Sequence, residues 1–522
     1  MGRRTIVVGA GSAGGALAAR LSEDPEHEVL LVEAGPDYPR AADTPASVLN
    51  PYDLDEVHDW GLDGYFIEPP EARAKVKYPR GRLVGGSSCV NASIAIRGAR
   101  EDFEQWAGLG NDEWGWERVE PAFRRLETDA EFGAEPYHGD SGPVTVRRVP
   151  REQWPAGVLA FERACLAQGY GEAPDGNAPD TTGYSPMPRN QAGDVQASAL
   201  LTYLAAARGR PNLTIRPDTM VRRVLFDGRQ AVGIEVDGPD GVETIAGERI
   251  VLAAGAIYSP KILMHSGVGP AATLRRFGIE PVFEVEGVGR NLQDHPIAFP
   301  LGILAAVEEG TRFGCLNIVK LTSKAVGEFN DIFCFSPVLE PAALNNPGLD
   351  VGDRKVMGVS ALVAKPHSRG WLTLTSADPA ERPEIHLNFL GEAADMERMK
   401  EAVRIAYGLL TSPEVTAELA EVLFPDRETV ADDAKLEEWC RATVSTGYHA
   451  VGTCRMGPDD DPGAVVDQHL AVRGLEGVWV ADASIMPVIT TGLTNLSSYM
   501  IGERMAEFMA AEAGAEVGEV VA

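Results

Sequence analysis

Positive charge is scarce in this 522-residue chain. Lysine and arginine number 47 against 77 aspartate and glutamate residues, so the formal net charge is −30 at pH 7. Nucleic acids and anionic membrane surfaces are bound through basic patches, and the acidic balance therefore excludes both as expected partners. The sequence also lacks an apolar run of the roughly 18 residues that a membrane helix needs. We expect no membrane span.

Cysteine is scarce as well. The six cysteines stand at positions 89, 165, 315, 334, 440 and 454, and no two of them form a C-x-x-C pair. This scattered spacing argues against a disulfide framework and against a structural zinc site, so we expect no bound metal. The apolar run Thr5–Val8 is too short for a signal peptide. Together these features predict a reduced protein of the cytoplasm.

Glycine is abundant, and its first cluster lies between two apolar segments. A short buried strand (5–8) leads through the turn Gly9-Ala10-Gly11-Ser12-Ala13-Gly14 into a predicted helix (15–21) and a second buried strand (29–32). In this context the G-x-G-x-x-G spacing indicates a dinucleotide-binding turn, whose backbone approaches a pyrophosphate at the helix N-terminus. Glu33 ends the second strand, where a carboxylate can bind the adenosine ribose hydroxyls. The turn alone leaves FAD and NAD open.

A second cluster of glycine and hydroxyl residues spans Gly81–Ser93. Its backbone N–H groups can surround the phosphates or the ring edge of a cofactor. A buried strand that ends in Ala254-Gly255 is a third place where backbone can pass close to a nucleotide. Both segments predict further contacts with the same cofactor.

The middle of the chain has a different pattern. Apolar segments at 221–226 and 231–236 predict strands, and later ones predict a mainly antiparallel sheet, at 318–321, 331–335, 356–363 and 371–375. Residues 151–190 are rich in proline, glycine, asparagine and aspartate, which predicts loops over a cleft. Ala393–Leu410 predicts a long helix, and Trp106, Trp114 and Trp116 predict core packing.

The interruption by an antiparallel sheet predicts two domains. The fold class is α/β, with a Rossmann-like nucleotide-binding domain and an inserted α+β substrate domain. We assign residues 1–150, 195–300 and 445–522 to the first domain. Residues 151–194 and 301–444 form the second.

A histidine among small residues stands near the C-terminus, in the segment Gly447–Gly457. Imidazole changes charge near neutral pH, and small neighbours let backbone and ligand approach closely. His449 is therefore a candidate for proton transfer. An ordinary surface histidine is the alternative that this segment alone leaves open.

These segments together resemble the glucose–methanol–choline (GMC) oxidoreductases, FAD-dependent enzymes that oxidise alcohols. The resemblance runs nearly end to end, and four segments carry it: Gly81–Ser88, Gly255–Gly269, Gly287–Pro296 and Ala481–Pro487. It implies FAD as the cofactor of the Rossmann-like domain and a small-molecule alcohol as the substrate. His265 and His295 lie inside these segments and are expected to have structural roles.

The resemblance also implies roles for individual residues. His449 lies over the flavin and takes the hydroxyl proton, and Asn495 is the second, hydrogen-bonding residue. The chemistry agrees, because a neutral imidazole accepts a proton and an amide can orient an alkoxide. The implied cofactor contacts are Gly9, Gly11, Ser12, Ala13, Gly14, Glu33, Ala34, Arg82, Gly85, Gly86, Ser87, Asn91, Ala92, Val221, Ala254, Asp482, Ala483 and Asn495.

One departure from the family concerns FAD attachment. Some members bind FAD covalently through a histidine in the first glycine cluster, and the matching position here is Val90. The resemblance therefore implies non-covalent FAD. The neighbouring Cys89 would need an activated thiolate to serve as an attachment point.

Several alternatives stay open. A primary aryl, furanic or short aliphatic alcohol is the first expectation for the substrate, because the chain has no long insertion, and a sugar hydroxyl is the second. The same scaffold could serve a lyase, a decarboxylase or a redox-inactive binding protein. The electron acceptor is O₂ or another carrier.

Overall fold

The computed structural model describes residues 3–50, 52, 57–238, 241–306, 314–336, 338–339 and 354–521. Within these ranges the α-helices are α1 (Ser12–Leu21), α2 (Ala46–Leu49), α3 (Arg100–Gly108), α4 (Trp116–Leu126), α5 (Ala156–Ala167), α6 (Ala205–Ala207), α7 (Gly255–His265), α8 (Ala271–Arg276), α9 (Ala393–Leu410), α10 (Pro413–Thr416), α11 (Arg427–Ala431), α12 (Asp433–Thr443) and α13 (Thr494–Val521). Short 3₁₀ helices occupy Ala41–Asp43, Pro70–Ala72, Gly86–Cys89, Asp112–Trp114, Arg151–Gln153 and Ala483–Ile485, and a π-helical turn occupies Leu200–Leu204.

A parallel sheet organises the cofactor side of the molecule. Its order is Leu213–Arg216, His27–Val32, Arg3–Val8, Ile250–Leu252 and Val478–Val480. Every neighbouring pair is parallel. The strands are apolar runs because helices cover both faces of such a sheet, and Ile6 and Val7 are fully buried. All five carboxyl ends therefore meet at one edge, where ligands bind in open α/β sheets.

An antiparallel sheet of six strands organises the other side. Its order is Ser445–Thr446, Pro296–Ala298, Ala361–Val363, Ile332–Phe335, Asn317–Leu321 and Gly183–Pro186. All of its neighbouring pairs are antiparallel. The predicted fold class, a Rossmann-like domain with an antiparallel-sheet substrate domain, is confirmed. The domain boundaries stay a prediction.

Smaller sheets complete the fold. A three-stranded antiparallel sheet contains Met220–Asp227, Gln230–Gly238 and Gly241–Ala246, and a four-stranded one has the order Val338–Leu339, Val356–Gly358, Leu301–Leu304 and Leu419–Phe424. The remaining strands are Asp63–Gly64 with Val76–Lys77, Trp371–Thr373 with Glu384–His386, Gln191–Ala192 with Val195–Gln196, Val268–Gly269 with Phe283–Glu284, and Glu127–Asp129 with Val144–Arg148 and Pro188–Arg189.

Two local predictions are wrong. Residues 151–190 contain helix α5, whose Val158 and Phe161 are fully buried, so the segment is only partly loop. The single strand predicted at 356–363 is two strands in two sheets, because Gly358 pairs with Leu301 whereas Ala361 pairs with Ala298. An apolar run that passes from one sheet to the next has the same sequence pattern as one long strand.

Other local predictions are confirmed. Helix α9 has the predicted bounds, and Trp106 and Trp114 are fully buried. Among the described residues, no helix combines the length and apolarity that crossing a membrane requires.

Candidate active site

A cleft opens at the carboxyl edge of the parallel sheet. It encloses about 1110 Å³, counting the solvent at its mouth. Twelve of the predicted cofactor contacts line it: Gly9, Gly11, Ser12, Ala13, Glu33, Ala34, Gly86, Ser87, Val221, Ala254, Asp482 and Ala483. Both sequence neighbours of His449, Tyr448 and Ala450, line the same cleft. The structure thus brings the glycine turns and the histidine segment to one space.

The N-terminal turn is shaped for close backbone approach. Gly14 does not line the cleft, and a Cβ atom there would lie 1.9 Å from the carbonyl oxygen of Gly9, so only glycine fits. Gly11 precedes helix α1 with no side chain capping the helix. The free N–H groups of that first turn suit an anion such as a pyrophosphate.

Glu33 is held at the end of its strand by two backbone donors. Its Oε2 accepts from the N–H of Ala10 at 2.9 Å, and its Oε1 accepts from the N–H of Gly35 at 3.0 Å. Burial raises the pKa of Glu33 to about 7, against the opposing effect of these hydrogen bonds. The carboxyl group is therefore fixed in place for hydroxyl donors in the cleft.

The second glycine cluster joins the first. The N–H of Gly85 donates to the carbonyl of Ala10 at 2.8 Å. Asn91 is engaged locally, with its Oδ1 accepting from Gln196 Nε2 at 2.8 Å. Six predicted contacts are absent from the lining of the cleft in the described part of the chain, namely Gly14, Arg82, Gly85, Asn91, Ala92 and Asn495, and His449 itself is absent as well.

An aromatic wall of the cleft was missed by the sequence analysis. The rings of Trp60 and Tyr258 lie 4.0 Å apart, and both line the cleft. The Arg82 guanidinium stands over the Trp60 ring at 5.0 Å. Trp60 lies in an irregular segment with no periodic pattern, so only the tertiary structure brings it to the site. The cleft also contains Arg80, Gly81, Thr219, Met220, Thr494 and Ser498, which were not predicted.

Asp482 connects two helix starts beneath the cleft. Its Oδ2 accepts from the N–H of Gly255 at 2.8 Å and from Ser259 Oγ at 2.5 Å, and its Oδ1 accepts from the N–H of Ser484 at 2.8 Å. Burial raises the pKa of this carboxyl group. Asp482 therefore fixes the backbone that lines the cleft.

His449 lies in a loop that hydrogen bonds hold in place. Its backbone N–H donates to Asp294 Oδ1 at 2.8 Å, while Oδ2 of Asp294 accepts from the Tyr78 hydroxyl at 2.6 Å and from the Thr446 hydroxyl at 2.5 Å. A Cβ atom at Gly447 would lie 2.7 Å from His449 Nδ1, so the loop requires glycine there. Burial, with further contributions from the neighbouring His295 and from the positive charge of Arg80, holds the pKa of His449 well below 6.5.

His295 sets the tautomer of His449. The Nδ1 atoms of the two rings are 2.9 Å apart, and His295 Nε2 lies 3.0 Å from the carbonyl oxygen of Thr490. A carbonyl can only accept, so His295 Nε2 carries the hydrogen. Burial lowers the pKa of His295 to about 4, so its Nδ1 is a free acceptor. His449 must then donate from Nδ1, which leaves the lone pair on its Nε2.

That contact goes beyond the structural role expected for His295. The ring of His295 is fully buried, as a structural residue would be, but it also orients the candidate base. Its sequence spacing from His449 gives no signal of this pairing, because the two residues meet only through the antiparallel strands Pro296–Ala298 and Ser445–Thr446.

Asn495 is joined to the N-terminal turn. Its Oδ1 accepts from Ser12 Oγ at 2.8 Å. Its Nδ2 is buried and has no partner among the described residues. Asn495 is the second residue of helix α13, directly after Thr494, which lines the cleft. The structure thus places Asn495 against Ser12, and its Nδ2 is a donor without a partner among the described residues.

These features fit FAD. An uncapped helix N-terminus suits the pyrophosphate, a fixed carboxyl group suits the ribose, and the unpartnered Nδ2 of Asn495 is a donor for a polar edge. The unpartnered atom in particular is costly unless a bound group satisfies it. The site therefore has a set of polar groups that suits a dinucleotide.

Comparisons with known proteins agree with this geometry. GMC oxidoreductase family models match residues 4–297 and 366–502. The chain is 34% identical over 537 residues to 5-(hydroxymethyl)furfural oxidase of Methylovorus sp. (strain MP688), which covers 97% of this chain and 98% of that protein. It is 33% identical over 529 residues to oxygen-dependent choline dehydrogenase of Brucella anthropi, with 96% and 94% covered.

A solved structure extends the likeness to three dimensions. Pyridoxine 4-oxidase from Mesorbium loti superposes with a TM-score of 0.88 at 30% identity, covering 97% of this chain and 98% of that one. The family models, the relatives and the fold point the same way. The chain therefore belongs to the GMC oxidoreductase family of FAD-dependent enzymes that oxidise alcohols.

Proposed function

We propose that this protein oxidises a primary alcohol to a carbonyl compound, with His449 as the base. The observation that carries the proposal is the 2.9 Å contact between the Nδ1 atoms of His449 and His295, from which we infer that the lone pair of His449 lies on Nε2. A neutral imidazole can take the hydroxyl proton of the alcohol. FAD, when bound, supplies the site that accepts the hydride from carbon.

Asn495 can assist through one atom. Its Oδ1 is engaged by Ser12, so only Nδ2 is left to donate. We propose that this donor orients either the alcohol oxygen or the cofactor edge beside it. An amide cannot take the proton, so the base role belongs to His449 alone.

We propose that FAD is bound non-covalently. The position of the family's attachment histidine is Val90, and the neighbouring Cys89 is fully buried. Burial raises the pKa of the Cys89 thiol to about 12. Attachment through cysteine needs a thiolate, which this environment disfavours.

The proposed substrate is an aryl, furanic or short aliphatic alcohol. An apolar cluster lies on the antiparallel sheet, formed by Ile94, Ile96, Met187, Ile297, Cys315, Ile318, Phe333, Phe335, Leu362 and Ala364. Ile297 of this cluster stands two residues after His295, and Leu493 packs against the cluster. The cluster is buried core rather than cleft wall, and its place next to the base segment is consistent with an apolar alcohol rather than a sugar, whose hydroxyls need polar partners. The name of the furfural oxidase relative supports the same class.

We also propose a cytoplasmic location. The six cysteines are free thiols and all are buried, so none forms a disulfide that an oxidising compartment would favour. Nucleic acid is not an expected partner, because the chain carries a formal charge of −30.

The test is the visible spectrum of the purified protein during anaerobic addition of alcohols. We expect benzylic or furanic alcohols to bleach the flavin band and glucose to leave it unchanged. Air then distinguishes the acceptor, since recovery of colour within seconds indicates an oxidase and slow recovery indicates another carrier. If no alcohol, choline or sugar bleaches the flavin, the proposed oxidation is wrong, and a non-redox reaction on this fold takes its place.

A further inference from the structure

Arg80 is a partly buried cation in the cleft wall, and no carboxylate lies within salt-bridge distance of it among the described residues. Its Nη1 donates to the carbonyl of Pro79 at 2.8 Å, whereas its Nη2 is buried and has no hydrogen-bond partner in the described part of the chain. Arg148 and Arg398 also have unpartnered guanidinium nitrogens, but both lie within salt-bridge distance of carboxylates. A buried N–H of a guanidinium without a partner is costly, so Arg80 is expected to meet an acceptor in the cleft.

Arg80 is fixed in position beside the base. Its guanidinium stacks on the ring of Tyr78 with 4.0 Å to the centroid, and its backbone N–H donates to Asp59 Oδ1 at 2.8 Å. Tyr78 in turn donates to Asp294, which accepts the N–H of His449. One continuous set of contacts therefore joins the cation to the loop that carries the base.

The positive charge of Arg80 acts on two groups of the loop that carries the base. The pKa of Asp294 is raised by burial, and the charge of Arg80 opposes that rise. The same charge lowers the pKa of His449, in the same direction as burial and the neighbouring His295. Arg80 is thus the cation that acts on both groups of the loop.

The proposed reaction builds negative charge in this space. The alcohol loses its hydroxyl proton to His449 Nε2, and its carbon loses a hydride, with two electrons, to FAD. The products are the carbonyl compound, protonated His449 and a reduced cofactor with one added negative charge. A nearby fixed cation stabilises such charge strongly where water is excluded.

We propose that Arg80 is a catalytic residue of this reaction: its guanidinium, held against Tyr78 in the cleft wall, places a positive charge next to the His449 loop and donates from Nη2 to the anion that develops in the cleft. This inference rests on the proposed alcohol oxidation. It assigns a role to a residue that the sequence analysis did not select.

The experiment compares Arg80→Gln, Arg80→Lys and a charge-matched control, Arg118→Gln, on the exposed surface of helix α4. Two properties of the holoenzyme are measured: the pH dependence of kcat/KM, and the ratio of reduced to oxidised FAD in equilibrium with a redox dye. For Arg80→Gln we expect kcat/KM at acidic pH to fall by roughly tenfold. The ratio of reduced to oxidised FAD should also fall by roughly tenfold. Arg80→Lys should recover most of both effects, and Arg118→Gln should match the wild type.

A third measurement needs neither FAD nor an alcohol. The imidazole signal of His449 is followed by NMR in flavin-free protein, where Arg80→Gln should raise the pH at which the ring titrates. The proposal is overturned if this pH and the FAD ratio stay unchanged while FAD retention falls, because Arg80 would then only hold a phosphate. It is also overturned if the lysine and glutamine variants behave alike. Failure of every alcohol to reduce the wild type would instead refute the proposed function, since the NMR and dye measurements do not depend on substrate.

Discussion

The Nδ1 atoms of His449 and His295 lie 2.9 Å apart, although the residues are 154 positions apart in the chain. Because His295 Nε2 is bound to the carbonyl of Thr490, the hydrogen between the two rings belongs to His449. Two neutral imidazoles thus form a directed pair, and the outer nitrogen of His449 is the basic one. The following predictions depend on this arrangement and on the cleft beside it.

Replacing His449 with alanine should slow reduction of the flavin by an alcohol roughly 10² to 10⁴-fold. The reason is the loss of the base, while the glycine turns that hold FAD remain intact. Rapid mixing of the anaerobic variant with substrate measures the rate directly. Near-normal reduction would remove His449 from the base role, and an unchanged flavin content is the control for binding.

His295→Ala should lower kcat by about tenfold or more with a smaller change in KM. The reason is that the base loses its orientation, whereas the binding site for the substrate is unchanged. His295→Gln should recover part of the loss, since an amide can accept from His449 and donate to the Thr490 carbonyl. Steady-state kinetics of both variants distinguish the two outcomes. Equal losses in the alanine and glutamine variants would point to packing alone.

The acidic limb of kcat/KM should lie below pH 6.5. The pKa of His449 is held below its ordinary value by burial and by its neighbours, so the imidazole stays neutral and basic on the alkaline side of that lowered pKa. Activity is lost only as the pH falls through it. A pH profile over the range 4 to 9 with a slow alcohol tests this. A limb above pH 6.5 would mean that His449 is charged more easily than its surroundings imply.

FAD binding should release a proton and become tighter as the pH rises toward 7. The pKa of Glu33 is raised to about 7 by burial, and ribose hydroxyls that donate to its charged form would lower that value. Titration calorimetry of the flavin-free protein in buffers of different ionisation enthalpy counts the protons. Glu33→Gln should abolish the release and weaken retention of FAD. Proton uptake by the wild type would contradict the ribose assignment.

Asn495→Ala and Ser12→Ala form a matched pair. If Asn495 acts mainly through its bond to Ser12, both variants should weaken FAD retention to a similar degree. If its free Nδ2 orients the alcohol, Asn495→Ala alone should lower kcat by about tenfold while FAD is retained. Flavin content and single-turnover reduction separate the two roles. If both variants had the flavin content and the reduction rate of the wild type, Asn495 would have no role in the site.

Local sequence patterns predicted three strands of the parallel sheet, the first glycine turn and helix α9, because each is encoded in residues close in sequence, whereas the strands Leu213–Arg216 and Val478–Val480 were not predicted. Patterns could not show that the apolar segment 356–363 crosses two sheets, since burial gives both strands the same composition. The same limit applies to the site. Glu33 follows directly from its turn, whereas Trp60, Arg80 and His295 reach the cleft or the base only through long-range packing.

The bond between Ser12 and Asn495 has a consequence for how the protein is made. The two residues are 483 positions apart, and the walls of the cleft extend from Val8 to Ser498. At about 5 to 20 residues per second, a ribosome needs roughly 25 to 100 seconds between them. For that whole time the nascent chain carries the glycine turn without the helix that completes the site. A cleft with all of its walls can therefore form only after Ser498 has been synthesised.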